Sequence, residues 1–472
     1  GIIFLLLIVF ILSAKNHDDF PYYHFAYIQL ITKFSNSLGL GLFNHGFRTP
    51  SSIFYLNSLF YLPSAKYFLF NFTSVYILGF ANIILLKRIH SFFNYFKIEK
   101  QDINLTNYLS LFSLIFINIF FYRIAEHGTD RSAQILIFLL VIELLALVNL
   151  KKIKSLDLFN IYLLGAFIIS LKAFYILYVI LIIPLILLIK STKINYLKVI
   201  NFLFFNKFFV LFLLLLFFVL FSYFVNTGCI IYPLSITCFD NLNWGIPLEQ
   251  VQTMNNWYEL WSKGGAAPNF RVSNPDHYIL GFNWVNNWID IYFFNKVSDF
   301  ILGLLLLIII VVIFFRREFF KKKSNKVNNH IYITYFTILI LGFEWFYNHP
   351  SLRYGGYCIV ALLFFIPVCL KLNTKNVDFK KYTKSIFVLI FIAMLVFNVR
   401  NIMRIGKEID FYGYKPAENV FYFTSDEHFR IQKKMENFIV QYNECINLKK
   451  TCDLKKQKIY KNYGKMIFKK ND

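Results

Sequence analysis

Charge is what this sequence has least of. Only 16% of its 472 residues are Asp, Glu, Lys or Arg, against about 25% in a typical soluble domain. Acidic residues are scarcer still, 26 against 49 basic ones. This balance excludes an ordinary soluble globule. The sequence also lacks a Gly-rich phosphate loop and a Cys-x-x-Cys pair. No polar segment beside the basic loops is long enough for a nucleotide-binding domain, which excludes chemistry driven by a nucleotide bound there. No His-x-x-x-His spacing occurs, so no local pattern nominates a metal site.

Apolar and aromatic residues take the place of charge, at 57% and 20% of the chain. Apolar stretches at 1–14, 66–86, 105–122, 133–150, 157–171, 173–189, 202–222, 298–315, 331–347, 354–370 and 384–400 approach or reach the roughly 20 residues that cross a bilayer. The sequence predicts an all-α polytopic membrane protein with about eleven transmembrane helices. The chain starts with Gly1 rather than Met, so a few N-terminal residues are expected to be missing, which suits a short first span.

The net charge of +23 then reads as topology, not as a nucleic-acid surface. Alternate loops carry Lys87, Arg88, Lys97 and Lys100; Lys151, Lys152 and Lys154; Lys190, Lys193 and Lys198; Arg316 to Lys326; and Lys371 to Lys384. The positive-inside rule puts these in the cytoplasm and the intervening loops outside. A transmembrane domain over 1–400 then has long outer loops at 15–65 and 223–297, with a small outer, periplasmic segment at 401–472. Phe20–Phe34 is expected to form an amphipathic helix lying in the interface. The 223–297 insert holds five of the six Trp and reads as loop-rich. Cys229 and Cys238, and Cys445 and Cys452, fit two local disulfides in an oxidising compartment. Cys358 and Cys369 fall within one span and read as packing residues.

Polar residues gather at the outward ends of the spans: His17, Asp18, Asp19 and His24; His45 and Arg48; Glu126, His127, Asp130 and Arg131; Lys172; and His349 and Arg353. Charges beside membrane helices are costly and usually line a cavity or a working site. Carboxylates suit a general base, and Lys or Arg suits a phosphate. Each residue also has a plainer reading: Asp18-Asp19 as the start of a helix, Asp130-Arg131 as a salt-bridged turn, Lys172 and Arg353 as interface anchors.

The run His17-Asp18-Asp19-Phe20-Pro21-Tyr22-Tyr23-His24 directly after an apolar first span resembles the first outer loop of GT-C glycosyltransferases. The layout of spans, with a long outer loop between the seventh and eighth and an outer C-terminal segment, is similar to the polyprenyl-phosphate-sugar-dependent members. Those include bacterial relatives of the protein mannosyltransferases and the lipid A aminoarabinose transferases. The resemblance implies an inverting sugar transfer from a polyprenyl-phosphate donor to an envelope lipid, glycan or protein, at the periplasmic face of a bacterial inner membrane. It implies Asp18 as catalytic base with Asp19 beside it. The other polar residues named above are read as substrate-binding from their charge and their side of the membrane alone, and no nucleic-acid partner is expected. No nucleotide is required; a divalent Mg or Mn ion between Asp18 and the donor phosphate stays open. Two alternatives also stay open: an O-antigen polymerase or ligase, and a transporter or flippase of a lipid-linked substrate.

Overall fold

The computed structural model describes residues 19, 23–33, 37–62, 72–94, 103–123, 128–148, 152–191, 195–266, 272–321, 328–373, 379–412, 452–454, 457–462 and 465–469, with a few isolated positions besides. The described residues are predominantly helical. Two short helices, α1 (Phe25–Lys33) and α2 (Ser52–Ser58), precede the long ones. Then follow α3 (Phe72–Asn94), α4 (Ile103–Phe120), α5 (Gly128–Leu147) and α6 (Phe159–Leu171). A 3-10 stretch, Ala173–Leu181, runs into α7 (Ile182–Lys190), and α8 spans Lys207–Thr227. After α9 (Leu248–Lys263) come α10 (Ser298–Phe314), α11 (Asn329–Asn348), α12 (Gly356–Leu372) and α13 (Thr383–Tyr412).

A helix therefore occupies each apolar stretch predicted from 66–86 onward, while 1–14 lies almost wholly outside the described residues. Among the described residues five helical segments are long and apolar enough to cross a membrane: Phe72–His90, Ala173–Lys190, Lys207–Thr227, Val285–Phe314 and Thr383–Asp410. The central helices are shorter or more polar because they face protein. In α4 and α5 nearly every described side chain is buried, and Phe112, Phe116, Phe138 and Phe365 interlock there with ring centroids 4.9–6.5 Å apart. Asn82 and Asn118 exchange hydrogen bonds of 3.2 and 2.7 Å between α3 and α4, the kind of polar clasp that holds buried helices together in lipid. In contrast, α8 turns Phe217, Phe218 and Phe221 outward, each at least 50% exposed.

Two segments differ from expectation. The helix within Phe20–Phe34 is present as α1, but Phe25, Ala26, Tyr27, Ile28 and Leu30 are each at most 5% exposed. It is packed inside the protein instead of lying on an interface, with the Tyr27 ring 5.5 Å from those of Phe47 and Phe54. The span expected at 298–315 starts earlier, since helical turns run unbroken from Val285 through a π-helical stretch, Ile289–Val297. Trp288 and Trp284 extend it by packing on Phe346 of α11 at 5.5 and 5.3 Å.

Cys229 and Cys238 form the expected disulfide, and Cys358 and Cys369 are buried thiols. The pairing of Cys445 with Cys452 lies outside the described residues. Near the C-terminus a three-stranded antiparallel sheet, β1 (Cys452–Leu454), β2 (Gln457–Asn462) and β3 (Lys465–Lys469), docks on the first loop. The Phe468 amide donates to the Leu38 carbonyl at 2.9 Å, and the Phe468 ring is fully buried near Phe43.

Candidate functional site

Because helices alternate in direction, the start of α5, the junction of α6 with the 3-10 stretch, and the α11–α12 loop meet at one end of the bundle. Each brings one charge. Asp130 sits in the first turn of α5, Lys172 at the junction, and Arg353 in the loop. Asp130 is the hub, its side chain only 2% exposed. Lys172 Nζ donates to Oδ1 at 2.5 Å, and Arg353 Nε donates to Oδ2. Arg353 Nη2 reaches on to Asp19 Oδ2. Burial would raise the Asp130 carboxyl, but Lys172 and Arg353 outweigh it and hold the group well below the usual carboxylate range. It is a permanent anion tying two cations together.

The loop carrying Arg353 is fixed by its surroundings. Trp345 Nε1 donates to the Ser351 carbonyl at 2.9 Å and Trp288 Nε1 to the Pro350 carbonyl at 3.1 Å. The Tyr292 hydroxyl accepts from the Leu352 amide at 3.0 Å. Gln134, fully buried one turn along α5 from Asp130, donates to the Arg353 carbonyl at 3.0 Å and accepts from the Cys358 amide at 3.1 Å. Gly355 turns the chain at φ +103°, and a Cβ on Gly356 would lie 2.3 Å from the Trp345 indole. Both glycines are thus required for Arg353 to sit where it does.

Donors remain after these bonds are counted. Among the described residues Lys172 makes one hydrogen bond and lies 4.2 Å over the Tyr354 ring, and Arg353 Nη1 meets no hydrogen-bond partner. Both side chains keep about a quarter of their surface exposed, at 27% and 23%. Arg131 stacks over Tyr357 at 4.0 Å and Phe121 at 4.7 Å, with a buried Nη1 that meets no acceptor among the described residues. Among the described residues Lys172 and Arg353 face two carboxylates, Asp19 and Asp130, and keep N–H donors of the kind that suit an anion.

The other predicted residues are placed as follows. His17, Asp18, Glu126 and His127 lie outside the described residues. His24 is 8% exposed and sits between Tyr23 and Phe54 at 4.3 and 4.8 Å. His45 is exposed at the start of a short 3-10 turn whose Gly46 packs against the Tyr23 ring. Arg48 is buried and ties the first loop to the 223–297 insert, donating to the Gly41 carbonyl, the Tyr232 hydroxyl and Gln250 Oε1 at 2.9, 3.3 and 3.1 Å. His349 is a partly buried neighbour of Phe174 and Tyr354. Burial, then the charges of Lys263 and Lys172, lower its pKa to about 4, so it is neutral at physiological pH. Among the described residues no three of His, Cys, Asp and Glu converge as a metal site. The Oδ2 atoms of Asp19 and Asp130 are taken up by Arg353.

Sequence reasoning missed Gln134, Tyr354 and Lys263. A glutamine in an apolar helix was a usable signal for the first. Lys263, 1% exposed, pairs with Glu259 at 2.5 Å, a spacing of four residues that the sequence displays. Nothing local marks Tyr354.

Beside the charge cluster, an apolar groove of about 640 Å³ runs between α1, α2, α6 and α8, lined by Tyr27, Tyr55, Phe167, Leu215, Phe218 and Val225 among others. Ser52 and Ser170 bond to each other on its wall, 2.8 Å apart, and Ser51 holds the Leu171 carbonyl at 2.6 Å. The groove therefore reaches to within two residues of Lys172.

The chain belongs to the DUF8201 family, described as a domain of unknown function, whose model matches residues 1–360. No curated protein and no solved structure matches the chain.

Proposed function

We propose that this chain is an integral-membrane inverting glycosyltransferase of GT-C type, with about eleven spans. It moves a sugar from a polyprenyl-phosphate donor to an envelope acceptor at the periplasmic face of a bacterial inner membrane. One observation carries the reading: Lys172 and Arg353, with donors unused, converge on Asp130 and Asp19 beside an apolar groove walled by the outward-facing α8. An amphiphile with a long apolar chain and a phosphate head matches that pairing of surfaces.

In the proposed reaction Lys172 and Arg353 bind the donor phosphate. The acceptor hydroxyl loses its proton to a carboxylate of the Asp18-Asp19 pair, with Asp18 as base by resemblance. Its oxygen forms a bond to the anomeric carbon as the bond from that carbon to the phosphate oxygen breaks. The electron pair leaves with the polyprenyl phosphate, whose growing charge the two cations offset. One displacement inverts the configuration, and one base suffices. The charges lie at helix ends instead of the bilayer midplane, where transporters bind substrates, so transfer is favoured over transport.

The test is sugar transfer by purified protein in lipid, from a panel of undecaprenyl-phosphate sugars to crude envelope acceptor. Transfer is expected in wild type and lost in Asp18→Asn, with donor binding retained. Transfer undiminished in both Asp18→Asn and Asp19→Asn, or absent from wild type with every donor, overturns the reading.

A further inference from the structure

Phe174, Trp261, His349 and Tyr354 come from three separate segments and meet beside Lys172. The ring centroids are 5.2 Å apart for Phe174 and His349, 6.3 Å for Phe174 and Tyr354, 6.0 Å for His349 and Tyr354, and 5.6 Å for Trp261 and Tyr354. None is a core residue: all four are only partly buried. None lines the apolar groove either. Along one stretch of backbone, Ser170 faces the groove, Lys172 joins the charge cluster, and Phe174 belongs to the aromatic wall.

We propose that this wall is the subsite for the sugar ring of the phosphate-linked donor, an inference that rests on the glycosyltransferase reading above. Ring faces are electron-rich, and the C–H face of a pyranose presents weakly positive hydrogens, so the two stack. The sugar's hydroxyls need hydrogen-bonding partners, and the neutral imidazole of His349 carries one donor and one acceptor nitrogen. Its Nδ1 is buried and has no hydrogen-bond partner among the described residues, so this polar atom is left for a ligand hydroxyl. The wall also stands where the sugar has to be. Lys172 Nζ is 4.2 Å from the Tyr354 ring centre, so a phosphate on Lys172 brings its sugar against that wall while the lipid chain enters the groove on the other side of Lys172. The wall thus separates the sugar from the lipid by position alone.

The experiment compares binding of bare undecaprenyl phosphate with that of undecaprenyl-phosphate glucose, mannose, galactose and arabinose to full-length protein in lipid nanodiscs. Wild type is expected to bind at least one sugar-bearing lipid about tenfold more tightly than the bare phosphate. Trp261→Leu, Phe174→Leu and His349→Gln should each shrink that ratio about fivefold, a size typical of a lost ring contact, with bare-phosphate affinity unchanged. That unchanged affinity also shows that each variant is folded. A ratio that survives in all three variants overturns the proposal, as does an equal fall in affinity for every lipid. Wild type that binds all the lipids equally overturns this proposal alone, whereas wild type that binds none overturns the glycosyltransferase reading with it.

Discussion

Two buried carboxylates sit at opposite ends of the helical bundle. Glu318, between α10 and α11, is 4% exposed, and both of its oxygens accept from Lys321 Nζ at 2.7 and 2.6 Å. The Tyr382 hydroxyl adds a third bond at 3.1 Å. Its cation is three residues away and 46% exposed. Asp130 is as deeply buried, but its two cations come from positions 42 and 223 residues away, and one of them also holds Asp19. A local pair with an exposed cation is complete without a ligand and works as a staple. A carboxylate that gathers distant cations, each with donors left over, holds positive charge ready for an anion.

The contrast is broken most directly at its hub. Asp130→Asn leaves Lys172 and Arg353 without their shared counter-charge, and removing one partner of a buried pair costs about 3–5 kcal/mol. Denaturation in detergent should show a loss of that size together with loss of lipid-phosphate binding. A stable, fully binding variant would put the two carboxylates on the same footing. Gln134→Leu leaves the Arg353 carbonyl and the Cys358 amide unpaired, at about 1–3 kcal/mol, and should weaken phosphate binding because the Arg353 loop shifts. Glu318→Gln should cost only about 1 kcal/mol, since Lys321 can turn to solvent, and should leave binding and sugar transfer intact. A loss of binding there would erase the distinction between staple and site.

A further prediction is a pH dependence. His349 has a pKa of about 4 in the folded protein against 6.5 ordinarily. As pH falls, the unfolded chain takes up this proton near 6.5 and the folded chain only near 4. Stability is therefore lost progressively across that window. His349→Gln should flatten the fall in melting temperature between these pH values, and an unchanged slope would show that His349 takes no part in it.

Much of this was legible in the sequence, and for a common reason. Asp130, Lys172 and Arg353 stand out because a charge next to apolar helices is costly, and the helix positions follow from unbroken apolar runs. That Arg353 pairs with Asp130 was not legible, because 223 residues separate them and only the packing of α5 on α12 joins the two. His24 and Arg48 looked like Asp19's companions by proximity in the chain. The fold instead sets His24 between two rings and directs Arg48 to Tyr232 and Gln250, since a short segment does not reveal which way its side chains face. The early start of α10's helix at Val285 was hidden by polar residues among the tryptophans that hold it in place.

The most direct test of the central claim is the affinity of the full-length protein in nanodiscs for bare undecaprenyl phosphate, compared among wild type, Lys172→Gln and Lys321→Gln. Wild type is expected to bind, Lys172→Gln to bind about tenfold or more weakly, as for a lost charge-assisted contact, and Lys321→Gln to bind as wild type does. Equal effects of the two substitutions, or no binding by wild type, would contradict that claim.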